Sequence, residues 1–287
     1  MTAPNAGPVL VILAAGQARR YGGLKPLAPV GPGGEAIVDL VASDALSAGF
    51  GTIVLVIGTE TGQAIRDHVE RLWPGDVDVR FALQETARGT ADAVLSAWSE
   101  VEVVGKFGVA NADDLYGPSA LGILASHLTG TNQDNALVGF RLDRAVIGSS
   151  PVTRGVCRTD ADGHLIRIDE RRGVVPRDDG TFGTGDGRAP EFLDPATLVS
   201  MNLWGFSPGM GEQLHLAMKG AGEGEVLLPE LVGRLIDDPK SGQRFFVLAT
   251  DSRCVGVTHP DDLALVQDDV AAQVGRGERA ATLWSAV

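Results

Sequence analysis

Two clusters in this 287-residue chain have the residue types and spacing to do chemistry. The first runs from Gly16 through Arg19 and Arg20 to Lys25, with Gly22 and Gly23 between them. No Asp or Glu occurs before Glu35, so these cations have no local counter-charge. Ala14, Ala15 and Gly16 are small enough for a backbone to approach a ligand closely, and bare N–H groups beside unpaired cations bind polyphosphate. The second cluster is Asp113-Asp114, within Asn111-Ala-Asp-Asp-Leu-Tyr116-Gly117. Adjacent carboxylates repel unless a cation neutralises them. Hard oxygen ligands suit Mg²⁺, which takes one or two carboxylates plus substrate phosphates. The competing use of the pair is as acids in the first turn of a helix, where the dipole favours them.

Other familiar spacings fail on inspection. A Walker loop needs Gly-Lys-Ser/Thr, and Lys25 is followed by Pro26. Gln17-Ala18 breaks the spacing of a dinucleotide fingerprint. Tyr21 and Lys25 have a dehydrogenase spacing, but Gly22-Gly23 between them argues against the helix it requires. Gly205-Phe-Ser207-Pro208-Gly209 matches the hydrolase elbow, yet Pro208 lacks the N–H that would face the oxyanion, which leaves a strand-to-helix turn. Asp160 and Asp162 read as turn residues rather than a calcium loop. Cys157 and Cys254 have no metal-ligand spacing and are expected as free thiols in a reducing cytoplasm, and the five His residues are scattered singly.

The elements that must position these clusters follow from hydrophobic patterning. Val9–Leu13 and 52–57 are apolar runs of the kind buried on both faces of a parallel sheet. Amphipathic segments at 35–50 and 61–73 predict helices, 77–83 a third strand, 90–98 a helix and 106–110 a fourth strand. Strands alternating with helices predict a parallel sheet, whose ligands gather at the carboxyl ends of the strands. Both charged clusters fall at such ends. A fifth strand is expected at 135–140, a hairpin from 152–158 and 164–168, a strand at 196–206, helices at 208–218 and 226–236, a strand at 244–249 and a final helix from Asp262. The segment 174–190 is rich in Gly, Asp and Arg and is expected to be a mobile loop or lid with no packed core. On their own, Glu170, Arg171 and Arg172 read as a solvated charge run.

Composition bounds the partners. A net charge of −13 argues against nucleic acid and anionic membranes, and 5 % aromatics leaves few stacking platforms for single strands. No run reaches membrane-spanning length and none reads as a secretory leader.

Leu13-Ala14-Ala15-Gly16-x-x-x-Arg20 followed by Lys25-Pro26 resembles the signature loop of sugar-phosphate nucleotidyltransferases, with Ala18 where a second Gly is usual. Further segments resemble that family in order. Gln84-x-x-x-x-Gly89-Thr90-Ala is similar to the stretch that reads the base and ribose; an amide side chain offers both donor and acceptor to a base edge. Asn111-Ala-Asp113-Asp114-Leu-Tyr116-Gly117 is similar to the metal-holding stretch, which maps the ligand role onto Asp113. The run from Arg154-Gly155 to Glu170 resembles the sugar-site hairpin, and Asn202 falls on a sugar-contacting position. A second metal ligand is expected near Gly256-Val-Thr258-His-Pro-Asp261-Asp262. Thr258, Asp261 and Asp262 are candidates there, and Gly256 is a further occupant of the ligand position.

The resemblance implies one α/β nucleotidyltransferase domain, residues 1–287, with a mostly parallel sheet sandwiched by helices, of the dinucleotide-binding-like type that glycosyltransferases of the GT-A kind share. A nucleotide-binding part of about 1–145 would precede a sugar-binding part of about 146–287 with a small inserted β-region. It implies transfer of a nucleoside monophosphate from an NTP to a sugar 1-phosphate or cyclitol phosphate with Mg²⁺, in a cytoplasmic protein for which a homo-oligomer stays open. Arg20 would hold the leaving phosphates, Lys25 the reacting pair, and Leu13 to Gly16 with Gln84, Gly89 and Thr90 the nucleotide. Gly155, Glu170 and Asn202 would hold the sugar. Two other readings share the scaffold: a glycosyltransferase using a finished nucleotide-sugar, and a nucleotide-sugar-binding protein without catalysis.

Overall fold

The structure is a computed structural model and describes residues 7–16, 23–101, 105–257 and 262–284. In chain order the elements are β1 (Val9–Leu13), α1 (Ile37–Ser47), β2 (Thr52–Gly58), α2 (Gly62–Leu72), β3 (Val79–Gln84), α3 (Thr90–Val101), β4 (Phe107–Asn111), β5 (Asp114–Leu115) and α4 (Pro118–Thr129). There follow β6 (Asn135–Arg141), α5 (Leu142–Ala145), β7 (Val152–Thr159), β8 (Leu165–Pro176), β9 (Phe182–Gly183), β10 (Phe192–Leu193) and β11 (Leu198–Phe206). The chain closes with α6 (Met210–Ala221), α7 (Leu228–Asp237), β12 (Phe245–Thr250), β13 (Val255–Gly256) and α8 (Asp262–Gly275).

The central sheet is ordered β3-β2-β1-β4-β11-β6-β12. β1 pairs parallel with β2 and β4, β2 with β3, and β6 with β12, while β11 runs against both β4 and β6. The apolar strands alternate between two cores. Leu10 and Ile12 of β1 and Ile53, Leu55 and Ile57 of β2 face residues of α1, α2 and α4. Val11, Val54 and Val56 face α3, α6 and α7 on the other side. Burial on both faces is why these strands read as unbroken apolar runs rather than as alternating ones.

β11 is where the sheet branches. Its first half pairs with β7 on one edge and its second half with β4 on the same edge. The register against β6 shifts between Ser200 and Trp204, and Asn202 within the shift has φ 57°. Asn tolerates this left-handed conformation better than most residues because its side chain can bond locally. The bulge turns β7 to β10 away from the main sheet and opens a gap between them and β4.

The expected elements are present with ends moved by a few residues. The segment 174–190 departs from expectation. β8 continues to Pro176, and β9 pairs with both β8 and β10. Val174 and Phe182 are buried, so the segment contributes to a packed core instead of forming an unpacked lid. The tie is Arg171, which is itself buried rather than part of a solvated run. A sequence window cannot show this, because the partner that folds the loop lies outside it. The expected turn residues behave as expected: Asp160 accepts the backbone N–H of Asp162 and of His164. Among the described residues no helix is long and apolar enough to cross a membrane, and both cysteines are free.

Candidate active site

The carboxyl ends of β1 and β4 lie side by side, with Leu13 registered against Asn111. The chain leaving β1 passes through Ala14 to Gly16. The chain leaving β4 passes through Ala112 to Asp113, and the N–H of Ala112 donates to the Leu13 carbonyl at 3.2 Å. Lys25 opens a short 3-10 turn, Lys25–Leu27, and its Nζ stands 3.5 Å from Asp113 Oδ2. Leu13, Ala14, Gly16, Lys25 and Asp113 line a small cavity of about 110 Å³. Arg20, the other expected phosphate-binding cation, lies outside the described residues.

Asp113 also lines a second cavity, of about 700 Å³. One wall is a row across three strands: Ser200 of β11 pairs with Gly155 of β7, which pairs with Glu170 of β8. Asn202 at the bulge joins them, so Gly155, Glu170 and Asn202 come together although β7, β8 and β11 are far apart in sequence. The opposite wall is α7, with Glu230, Arg234 and Asp237, and Asp262 closes the cavity beside β13. Tyr116 fixes the β11 wall against β4. Its buried hydroxyl accepts the Asn111 N–H at 2.9 Å and donates to the Met201 carbonyl at 3.0 Å, tying the end of β4 to the bulge of β11.

Asp113 and Asp114 diverge in environment. Asp114 faces only the larger cavity. Burial pushes its carboxyl up to about 6, and the neighbouring charge of Asp113 adds to the rise. The Asn111 amide, at 2.9 Å, and the charges of Arg154 and Lys25 oppose it. Arg154 is anchored through Nε and Nη2 to the Ala145 carbonyl, at 3.0 and 2.7 Å, and its burial lowers its own pKa. Gly256 pairs with Asp114 in a two-stranded ribbon. A Cβ there would lie 2.2 Å from Asp114 Oδ1 and 2.7 Å from the Asp113 carbonyl, so this position holds the carboxylate pair by backbone contact and has no room for a ligand side chain. Of the other expected second ligands, Asp262 is buried on the cavity wall, while Thr258 and Asp261 lie outside the described residues. Among the described residues no three His, Cys, Asp or Glu side chains converge as a metal site. The side chains of Asp113, Asp114 and Asp262 nonetheless offer hard carboxylate oxygens on the wall of one cavity, a donor type that fits Mg²⁺.

Gln84, Gly89 and Thr90 sit apart from both cavities. Gln84 ends β3 and is buried. Its Nε2 donates to the Gly89 carbonyl at 3.1 Å and to Asp92 Oδ2 at 2.8 Å. Both amide protons are therefore spent on acceptors, and the side chain retains only its oxygen. In this arrangement the amide presents an acceptor, where a donor-and-acceptor edge is expected. Gly89 has φ 91° and packs on the Val226 carbonyl. Thr90 Oγ1 accepts the Leu228 N–H at 2.8 Å at the start of α7. These two residues thus join α3 to the helix that walls the larger cavity.

Sequence reasoning missed the α7 wall, because its charged residues look like any solvated helix face. Tyr116 and Arg154 stood within motifs, but no pattern announced that one would bridge two strands and the other would oppose Asp114.

The family described as MobA-like NTP transferase domain matches residues 10–176. Three solved structures are similar over nearly their whole length. The inositol-1-phosphate CTP transferase from T. maritima has a TM-score of 0.66 at 15 % identity, covering 93 % of this chain and 98 % of that one. A UDP-glucose pyrophosphorylase complexed with UDP-glucose has a TM-score of 0.65 at 15 % identity, with 93 % and 99 % covered. HddC from Yersinia pseudotuberculosis complexed with GMP-PN has a TM-score of 0.58 at 18 % identity, with 91 % and 99 % covered. No curated protein matches in sequence. A match over more than half of the chain, which takes in every described residue lining the small cavity and the β7–β8 wall of the larger one, places this protein in the MobA-like NTP transferase domain family, as a nucleotidyltransferase with the fold of the sugar-phosphate nucleotidyltransferases.

Proposed function

We propose that this protein transfers a nucleoside monophosphate from an NTP to a sugar 1-phosphate or cyclitol phosphate, forming the nucleotide-sugar and pyrophosphate. The observation that carries the reading is that Asp113 lines both cavities while Lys25 stands 3.5 Å from it. Two substrates, one in each cavity, would meet at that point. The similar structures act on or hold inositol 1-phosphate, UDP-glucose and a guanine nucleotide by their descriptions, which supports a phosphorylated polyol as acceptor and leaves the base to experiment.

In this reading the backbone from Leu13 to Gly16 cradles the triphosphate and Arg20 holds its β- and γ-phosphates. Gln84 offers an acceptor to the base, with Gly89 and Thr90 shaping that end. Gly155 lets the acceptor lie against the sheet, while Glu170 and Asn202 bond its hydroxyls. An acceptor phosphate oxygen attacks the α-phosphorus, the bond to the β-phosphate oxygen breaks, and pyrophosphate leaves. The nucleophile is already an anion, so no general base is required; Lys25 lowers the repulsion between the two phosphates it bridges. Asp113 would hold Mg²⁺, with Asp262 or Thr258 as the expected second ligand, and the ion when bound would screen the same phosphates. The larger cavity carries the carboxylates of Glu170, Glu230 and Asp237 beside the cations of Arg154 and Arg234, and a bound cation would lower its repulsion of an anionic acceptor. The nucleotide part then corresponds to residues 1–145 and the acceptor part to 146–287. Free thiols at Cys157 and Cys254 agree with a cytoplasmic setting.

The test is a panel: purified protein, Mg²⁺, each common NTP, and glucose 1-phosphate, other sugar 1-phosphates and inositol 1-phosphate, with pyrophosphate and product mass both followed. One productive pair is expected. NTP binding without product across the panel would favour the non-catalytic reading, and no NTP binding would overturn the assignment of the first loop. Turnover of finished nucleotide-sugars onto other acceptors would favour a glycosyltransferase.

A further inference from the structure

Glu170 occupies a vulnerable place in its strand. The register of β7 against β8 shifts between the pairs Val152↔Val174 and Arg154↔Arg171. Between them Thr153 of β7 stands opposite Arg172 and Gly173 of β8, and Gly173 has φ 65°, a conformation only glycine adopts without strain. Side chains alternate faces along a strand, so a one-residue slip at this irregularity would carry Glu170 from the cavity to the outer face.

The next side chain, Arg171, points away from the cavity and is 3 % exposed. Its Nε donates to Asp186 Oδ2 at 2.8 Å and its Nη2 to Asp186 Oδ1 at 3.0 Å. The same Nη2 lies within bonding distance of Thr184 Oγ1 and of the Arg188 and Pro190 carbonyls, at 3.0, 2.7 and 2.8 Å. Asp186 accepts the N–H of Arg172 at 3.2 Å, within the irregular step itself, and Arg188 Nη1 donates to the Glu170 carbonyl at 3.2 Å. A buried ion pair is poor evidence for stability, because desolvation offsets much of the attraction. Its worth is geometric: a planar fork matched to both carboxylate oxygens admits one arrangement.

We propose that Arg171 and Asp186 are positioning residues that lock the register of β8 so that Glu170 faces the acceptor cavity. The proposal rests on the reading of that cavity as the acceptor site. It gives the 184–190 loop a role: the loop is the fixed anchor of a binding strand.

The experiment compares wild type with Asp186→Asn, Arg171→Lys and the milder Thr184→Ala, using the NTP and acceptor phosphate that wild type turns over best in the panel above. KM for the acceptor should rise roughly 10-fold in the first two and about 2-fold in the third, while KM for the NTP stays near wild type; the melting temperature should fall in Asp186→Asn, which leaves the Arg171 charge buried without its counter-charge, and kinetics are read at a temperature where each variant is folded. Hydrogen exchange on the ligand-free protein should show the amides of Arg172 and Gly185 losing protection in Asp186→Asn, with β1 and β4 unchanged. Both KM values moving together, or an unchanged acceptor KM in a folded variant, overturns the lock. Should wild type turn over no pair, the nucleotidyl-transfer reading fails by itself. The lock is then decided by exchange, and unchanged protection in Asp186→Asn overturns it.

Discussion

The small cavity beside Gly16 and the large cavity between α7 and the β7–β8 hairpin share Asp113 and are otherwise built in opposite ways. The small one is made by the turns that follow β1 and β4 and by the start of the Lys25–Leu27 turn; among the described residues its charged side chains are Lys25 and Asp113 and the rest of its lining is small or apolar. The large one is made by side chains from β7, β8, β11, α7 and the start of α8. A phosphate chain is the same whatever the nucleotide, so a local loop of N–H groups and cations suffices for it. An acceptor is recognised by the placement of its hydroxyls, and that requires groups fixed from several directions. The first cavity can therefore be written in short local motifs after β1 and β4, and the second cannot.

Breaking the shared point should have the largest effect. Lys25→Ala and Asp113→Ala are each expected to lower kcat by on the order of 100- to 1,000-fold with an unchanged circular dichroism spectrum. Near-normal turnover in either would remove that residue from the reacting centre. The next effect separates the cavities. Glu170→Ala should raise KM for the acceptor roughly 10- to 100-fold and leave KM for the NTP alone, as steady-state kinetics with each substrate varied would show. Equal effects on both would mean that the two cavities do not hold different substrates.

The adjacent carboxylates offer a sharper contrast, read in thermal melts with chelator present. Asp114 has a folded pKa of about 6 against 3.8 for an ordinary Asp, so the fold favours its protonated form. Its contribution is favourable at low pH and is lost as pH rises through about 6. Asp114→Asn removes that loss. The variant should melt higher than wild type near neutral pH, by on the order of 1–3 kcal/mol of stability, with the gap closing toward about pH 4. A gap that stays constant with pH would contradict the burial of this carboxyl. The smallest expected effect is on base choice: Gln84→Ala should narrow the spread of kcat/KM among the NTPs by about 10-fold or less, since one acceptor oxygen is removed. An unchanged spread would place base recognition elsewhere.

Much of the fold was legible because its signals are local. The apolar runs of β1 and β2 are buried on both faces, and such burial leaves a continuous pattern. The segment 174–190 was not legible as ordered structure. Its composition lacks a core, and what orders it is the side chain of Arg171, whose value comes from partners as far away as Pro190. Gln84 was readable as a polar group at a strand's end, but its orientation depends on Asp92 in the following helix.

The sequence by itself determined the parallel sheet, the acid-free loop after β1 and the paired carboxylates after β4, because each depends on residues adjacent in the chain. Only the tertiary structure decided that Ser200, Gly155 and Glu170 form one row, that Asn202 sits at the bulge that opens the gap, and that α7 closes it. Pairing across strands is set by register and by the packing of distant elements, and neither leaves a mark on the local order of residues.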